Sequence, residues 1–392
     1  MFAQYKSKNV AVLTAANFVS GFMFFLPILA LYYQGIVGSV QNVALVFATF
    51  SASIVLFEIP TGAIADLFGR RKTMIAGWAL WFPALIILYY AQSLEGLLAF
   101  AILDGFSESL ISGADRALLY DTLKADNQEH LHKKALGTYW ASWPLGATFG
   151  AIIGGYLAQI NLQTTISATL VTVVVATAII TLIKEPKYHK EENNNFFKHI
   201  KSSLLFVKSN RQVTLLFIGG MILWSVGESI HNLKPIFFEF KNIELIFFGY
   251  IMGIGMGLSS LGHYISHAVS DKFGNKRTLI FCTIMMGLGA ILASYTPSLI
   301  SAAFLLVGSL FFGIKNTIEE HLINIEIPSS KRATVLSLQS FVNHFSIVIV
   351  TPLFGALADL YSINTAVEIS GYLAITATIA YIFIKKSGKS SS

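Results

Sequence analysis

Apolar runs separated by short polar, mostly cationic stretches repeat along the whole chain. Each run holds roughly 20 residues or more, the length at which a helix crosses a hydrocarbon core of about 30 Å. Twelve runs fit, in two sets of six. The first set covers residues 9–35, 41–67, 72–91, 95–122, 134–158 and 163–184; the second covers 211–238, 245–270, 277–295, 298–325, 333–359 and 363–385. The pattern predicts an all-α membrane protein with twelve transmembrane helices in two pseudo-symmetric six-helix bundles, residues 1–184 and 211–392. Residues 185–210, polar and asparagine-containing with an amphipathic middle, read as a cytoplasmic linker that partly follows the membrane surface. The first run, Val10 to Tyr33, is long enough to span and is expected to be retained rather than cleaved.

Composition agrees with a lipid environment. Hydrophobic residues make up 54% and charged residues 12%, where a soluble domain carries about a quarter charged residues. The net charge of +6 does not point to nucleic acid, because the cations sit at helix ends rather than in one contiguous patch. With both termini in the cytoplasm, Arg116 and Lys315 fall within helices, Lys234 and Lys241 outside, and the other 23 of 27 Lys and Arg inside. That excess sets the orientation, and compact loops fit a bacterial inner membrane. The single cysteine, Cys282, excludes an internal disulfide or a cysteine metal cluster and reads as a small buried side chain.

The two sets echo each other. "DLFGRRKTMI", Asp66 to Ile75, and "DKFGNKRTLI", Asp271 to Ile280, align with an offset of 205, and "GYLA", Gly155 to Ala158, and "GALA", Gly355 to Ala358, with an offset of 200. Parallel repeats about an axis along the membrane normal are what a rocking carrier requires, with its substrate site at the midplane.

The segment Gly62-x-x-x-Asp66-x-x-Gly69-Arg70-Arg71-Lys72 resembles the loop signature of the major facilitator superfamily, and with the twelve runs and the repeat the resemblance covers the whole chain. It implies that family's fold and a transport function. In the family, the Asp at the inner end of helix 2 meets the N-terminus of helix 11, and the loop Arg pairs with an acid at the inner end of helix 4, latching the halves. Carried over by position, Gly62 belongs to the latch signature, Asp66 and Gly69 are the turn, Arg70 is the latch cation and Asp121 in "LLYDTL" its partner; Asp271 and Gly274 are the second half's counterparts. The chemistry is coherent, since an anion suits a helix N-terminus and Arg–carboxylate bonds are strong yet breakable. Arg70 to Lys72 also serve as a positive-inside anchor.

Helix 5, "GTYWASWPLGATFGAIIGG", resembles the glycine pattern of the superfamily's drug and proton antiporters at Gly137, Gly146, Gly150, Gly154 and Gly155, with Ala151 where proline is expected. Close helix packing alone also explains four-residue glycine spacing. Helix 4 departs from those antiporters: Ala101 stands where they carry an Arg, so an Arg-based coupling scheme does not transfer.

Ionisable groups in spanning helices are costly and normally face a cavity or a partner. Glu58 lies about 12 Å from the inner end of helix 2 at 1.5 Å per residue. In helix 4, Asp104, Glu108, Ser112 and Asp115 recur at intervals of four, four and three, which sets them on one stripe toward the cavity. Arg116 sits beside that stripe as a neutralising cation for Asp115 or Glu58, or as a donor to a helix 2 carbonyl. The other reading of the stripe is a wetted vestibule wall. Helix 7 places Trp224, Glu228, His231 and Asn232 on one face, and helix 10 offers Lys315 and Glu319 as an i,i+4 pair whose plainest reading is a structural ion pair. Helix 1 adds Asn17 and an aromatic wall that includes Phe24, suited to bulky amphipathic ligands or to lipid. His263 and His267 have metal-ligand spacing but lack a further acid in a ligating frame, so no metal is expected.

No phosphate-binding loop or hydrolase motif appears, and no cofactor is expected. The reading is therefore a secondary active transporter, not an enzyme, that works by alternating access. Glu58, Asp104, Glu108 and Glu228 are the proton-coupling candidates. Asn17, Phe24, Ser112, Asp115, Arg116, Trp224, His231, Asn232, Lys315 and Glu319 are the cavity candidates. The expected partners are a small amphipathic or cationic compound leaving the cell, protons with sodium as the alternative ion, and the bilayer, around a monomer. Coupled uptake of a nutrient is the alternative, and a membrane enzyme or sensor the alternative of another class.

Overall fold

The computed structural model describes residues 5–112, 114–186, 204–327 and 332–385. Among the described residues the main helices are α1 (Asn9–Ser20), α2 (Leu29–Val37), α3 (Val40–Phe68), α4 (Arg70–Tyr90), α5 (Leu94–Ile111), α6 (Ala114–Ala125), α7 (His132–Ile160), α8 (Leu162–Thr181), α9 (Arg211–Phe240), α10 (Leu245–Phe273), α11 (Asn275–Tyr295), α12 (Ser298–Glu326), α13 (Arg332–Leu360) and α14 (Ile363–Ile382), with residues 204–209 also helical and 3₁₀ turns at Leu26–Ile28 and Glu129–Leu131. Among the described residues there is no strand. Among the described residues ten helices are long and apolar enough to cross a membrane, with the α5–α6 stretch counted as one. The 29-residue α7 is not among them; Gly137, Gly146, Gly150, Gly154 and Gly155 dilute its hydropathy.

The first apolar run is not one continuous helix. It divides into α1 and α2, with irregular backbone from Gly21 to Phe25 and a 3₁₀ turn over Leu26–Ile28. Pro27 in that turn has no N–H to give a helix. Buried irregular backbone needs other partners in a membrane. Here Thr169 of α8 accepts from the Phe24 N–H at 3.1 Å, and Thr172 donates to the Phe22 carbonyl at 3.2 Å.

The chain divides into two compact units. One comprises residues 1–38, 46–191 and 244–253, the other 39–45, 192–243 and 254–392. The linker's residues 187–203 lie outside the described residues. In the first unit, Val10, Leu13, Met74, Leu118, Ala135 and Ile180 form a core. In the second, Val213, Leu216, Leu279, Ile323, Val335 and Tyr381 do the same. Outward faces are apolar as well: Val171, Val174 and Val175 on α8 and Ile379 and Ile382 on α14 are exposed, a surface suited to lipid.

The 205-residue repeat is visible in backbone geometry. Gly69 and Gly274 adopt φ/ψ of 95°/144° and 85°/142°, a region left to glycine. Thr73 and Thr278 each donate from Oγ1 to the carbonyl of that glycine at 3.0 Å. Arg71 donates to the Thr181 and Ile183 carbonyls at the end of α8, and Lys276 to the Ile382 and Ile384 carbonyls at the end of α14.

Candidate functional site

In the first unit the charged stripe sits on an interrupted helix. Ser112, with ψ 129°, ends α5, and α6 begins at Ala114. The Ser112 N–H still bonds the Glu108 carbonyl at 2.8 Å. Just past the break, buried Asp115 accepts from the Tyr139 hydroxyl of α7 at 2.7 Å and from the Arg116 N–H at 2.6 Å. The Arg116 Nε lies 3.8 Å from Asp115 Oδ1, and its side chain is 50% exposed. Its guanidinium stands 5.9 Å from the Trp140 ring centroid. Glu108 is exposed and feels the charges of Asp115 and Arg116; half-buried Glu58 on α3 also feels Arg116. Asp115 is thus the carboxylate in contact with Arg116, and Glu108 and Glu58 lie within reach of its charge. Asp104, one turn before Glu108 on α5, feels the Glu108 charge and neighbours Trp81 and Tyr33.

Asn17 is engaged in packing: its amide donates to the Tyr139 carbonyl at 2.9 Å and to Ser142 Oγ at 3.0 Å. Phe24 belongs to a ring cluster on the irregular segment, 6.1 Å from Phe22, which lies 5.2 Å from Phe18 and stacks on Phe149 at 6.5 Å. The α7 glycines receive that segment. A Cβ at Gly146 would sit 2.0 Å from the Phe18 carbonyl oxygen, at Gly150 2.9 Å from Phe22 Cα, and at Gly154 2.0 Å from the Phe24 carbonyl oxygen. Gly155 packs on the Ile246 carbonyl at 3.1 Å, whereas Gly137 faces open space and joins no helix contact.

At the Gly69 turn, Arg70 pairs with Asp121 through Nη1 and Oδ2. Glu185 accepts the Arg70 and Arg71 N–H groups at 3.0 and 2.9 Å, so a carboxylate caps the start of α4. Gly62 is exposed with open space at its Cα. The Asp66 side chain lies outside the described residues. Asp271 is exposed and pairs with His267 at 2.9 Å.

The second unit presents different chemistry. Lys315 and Glu319 are 2% and 3% exposed. Their ion pair is joined by the Tyr381 hydroxyl at 3.1 Å on the same oxygen, Oε2. Glu319 Oε1 is buried without a partner, over Gly220, where a Cβ would meet it at 1.9 Å. These two residues therefore belong to the helix-packed interior of the unit. On α9, Trp224 lies 6.2 Å from Phe312 and its Nε1 is buried without a partner. Glu228 feels the Lys234 charge, exposed His231 sits 3.4 Å from Lys234 Nζ, and Asn232 is half-buried.

Several of the contacting residues carry weak sequence signals. Tyr139 and Trp140 lie in the glycine-patterned helix and were legible only as aromatic residues between glycines. Asp359, which accepts the Val40 and Gln41 N–H groups at 2.8 and 2.9 Å, sits four residues beyond Gly355 with no local motif.

The family model for the Major Facilitator Superfamily matches residues 11–318. An uncharacterized MFS-type transporter of Methanocaldococcus jannaschii is 23% identical over 97% of this chain and 99% of its own length. Multidrug resistance protein 2 of Bacillus subtilis is 22% identical over 74% of this chain and 72% of its own. Among solved structures, nucleoside transporter NupG superposes with a TM-score of 0.82 at 13% identity, covering 97% of this chain and 100% of that one. A D-xylose-proton symporter gives 0.79 at 12%, covering 96% and 98%.

Proposed function

The chain belongs to the Major Facilitator Superfamily and is a multi-pass membrane transporter, not an enzyme, and from that premise we propose that it exports an amphipathic or cationic compound in exchange for protons. The observation that carries this reading is the grouping of Glu58, Glu108 and Asp115 around the charge of Arg116, with Asp115 3.8 Å from its Nε. A surplus of carboxylates at an interrupted helix favours a bound proton or a bound cation, and competition between the two couples their movements. Glu108, exposed where Asp115 is held by Tyr139, is the proton carrier, and Glu58 shares its field. Asp104 and Glu228 are secondary candidates. The ring cluster around Phe24 supplies apolar contact for the organic part of the substrate.

The moving bodies in this scheme are the halves 1–184 and 211–392 on either side of the 185–210 linker. The Arg70–Asp121 pair acts as the inner latch, formed and broken once per cycle. Both termini face the cytoplasm of an inner membrane, and the working unit is a monomer. A multidrug resistance protein among the relatives supports export. The symporter among the structural neighbours supports a second reading, proton-coupled uptake through the same acids.

Transport in proteoliposomes with an imposed inside-acidic pH gradient separates these readings. Organic cations and neutral amphiphiles are offered while internal pH is recorded. Export predicts substrate-dependent alkalinisation that falls by roughly tenfold or more in Glu108→Gln and by less in Glu58→Gln. Substrate and protons entering together would establish uptake. Movement indifferent to the gradient and to both substitutions would remove proton coupling.

A further inference from the structure

At the end of α11 opposite the Gly274 turn, the second unit carries an unbalanced pair of charges on an apolar surface. Glu368, near the start of α14, accepts the Tyr295 hydroxyl at 2.7 Å and the Tyr372 hydroxyl at 3.3 Å, both on Oε1. Among the described residues its other oxygen has no protein donor. Tyr295 and Tyr372 are 69% and 50% exposed, beside exposed Leu292 and Leu373. A carboxylate on such a surface is costly unless a cation approaches it.

A cation reaches the same end of α11 but is otherwise engaged. Lys241, at the end of α9, donates from Nζ to the Ser294 carbonyl at 2.7 Å, the residue before Tyr295. It stands over the Phe237 and Phe240 rings at 5.4 and 5.9 Å, and it forms no ion pair with Glu368. An ammonium has three donors, so two remain to serve an anion. Burial pulls the Lys241 ammonium below its ordinary pKa, and an anion beside it would hold it charged. The arrangement is fixed from beneath: Gly287 of α11 and Gly371 of α14 cross so closely that a Cβ on either would meet the other's carbonyl oxygen at 2.6 Å.

We propose that Lys241 and Glu368, with Tyr295 and Tyr372, form a binding site for the zwitterionic headgroup of an aminophospholipid, Lys241 taking the phosphate and Glu368 the primary ammonium. The exposed apolar flanks take the acyl chains, which makes the occupant a bilayer lipid rather than a soluble phosphoethanolamine. Lysine suits a phosphate, and the free carboxylate oxygen suits an N–H donor. Neither role depends on the substrate or coupling ion of transport.

Native mass spectrometry on the full chain, delipidated and titrated with defined lipids, tests this. Phosphatidylethanolamine is expected to bind more tightly than phosphatidylglycerol. Glu368→Gln should lower the affinity for phosphatidylethanolamine about tenfold and leave phosphatidylglycerol unchanged; Lys241→Gln should weaken both. Equal binding of the two lipids by the unaltered chain, or an unchanged affinity in Glu368→Gln, overturns the assignment. Displacement of the lipid by free phosphoethanolamine overturns the lipid source. Lys241→Gln alone carries the test if Glu368→Gln fails to fold, since unchanged binding of both lipids to it also overturns the site.

Discussion

The two units share a frame and differ in the chemistry hung on it. Gly69 and Gly274, Thr73 and Thr278, and Arg71 and Lys276 repeat at 205 residues with the same backbone angles, hydroxyl bonds and helix-end contacts. The same offset takes Glu58 to His263, Glu108 to Gly313, and Asp115-Arg116 to Glu320-His321. The first unit thus carries acids around one guanidinium at a broken helix, while the second hides its main ion pair, Lys315–Glu319, in its interior. Turns and caps make the fold and tolerate no change of geometry. The charges inside are free to diverge, so function is to be sought where the repeat fails.

Removing charge should therefore have opposite consequences in the two units. Glu319→Ala leaves the Lys315 ammonium buried and unpaired, and should cost about 3–5 kcal/mol of stability, read as a loss of thermal stability in detergent. Glu108→Gln, in the first unit, should leave the melting curve within about 0.5 kcal/mol of the parent while lowering the pH-driven flux by roughly tenfold or more. Equal destabilisation by both would end the distinction between a structural and a functional charge.

Packing gives the next contrast. Gly154→Ala places a Cβ 2.0 Å from the Phe24 carbonyl oxygen, backbone that cannot swing aside, and should cost about 1–3 kcal/mol. Gly137→Ala, in the same helix but facing open space, should be neutral or slightly stabilising, because alanine is the better helix former. A melting series on the two variants checks the claim that α7 is built around the irregular segment of the first run.

Much of this was legible in the sequence, and the exceptions are instructive. The helices, the two sets and the repeat follow from hydropathy and from glycines that must take positive φ. The i,i+4 spacing of Lys315 and Glu319 marks an ion pair, but their third partner, Tyr381, and the Gly219-Gly220 step that admits them come from helices far away in the chain. The break between α1 and α2 was not legible because Val10 to Tyr33 is predominantly apolar and long enough to span, with Thr14, Asn17 and Ser20 as its polar side chains and Gly21 and Pro27 as its helix breakers. Its backbone is satisfied from α8 by Thr169 and Thr172, which look in sequence like ordinary tolerated threonines. Long-range satisfaction of a polar backbone leaves no local periodicity to read.

The smallest effect is the sharpest test of the shared frame. Arg71 and Lys276 both bond the last carbonyls of a helix, α8 in one unit and α14 in the other. A cation at a helix C-terminus contributes about 0.3–1 kcal/mol, screened by salt. Arg71→Met and Lys276→Met keep the aliphatic stem and remove the charge, so each should lower stability by about that amount, with the loss shrinking as ionic strength rises. If the repeat is mechanically real, the two losses should match within a few tenths of a kcal/mol. A clearly larger loss at Arg71 would have a specific cause. The first unit adds Glu185 on the Arg70 and Arg71 N–H groups and Asp121 on the Arg70 side chain, whereas the described residues of the second unit hold Glu326 against Asn210 instead. That result would mean that the charged loop of the first unit acts as one network, in which removing any member loosens the rest. Equal losses would mean that the helix-end contact is separable from the Arg70–Asp121 pair.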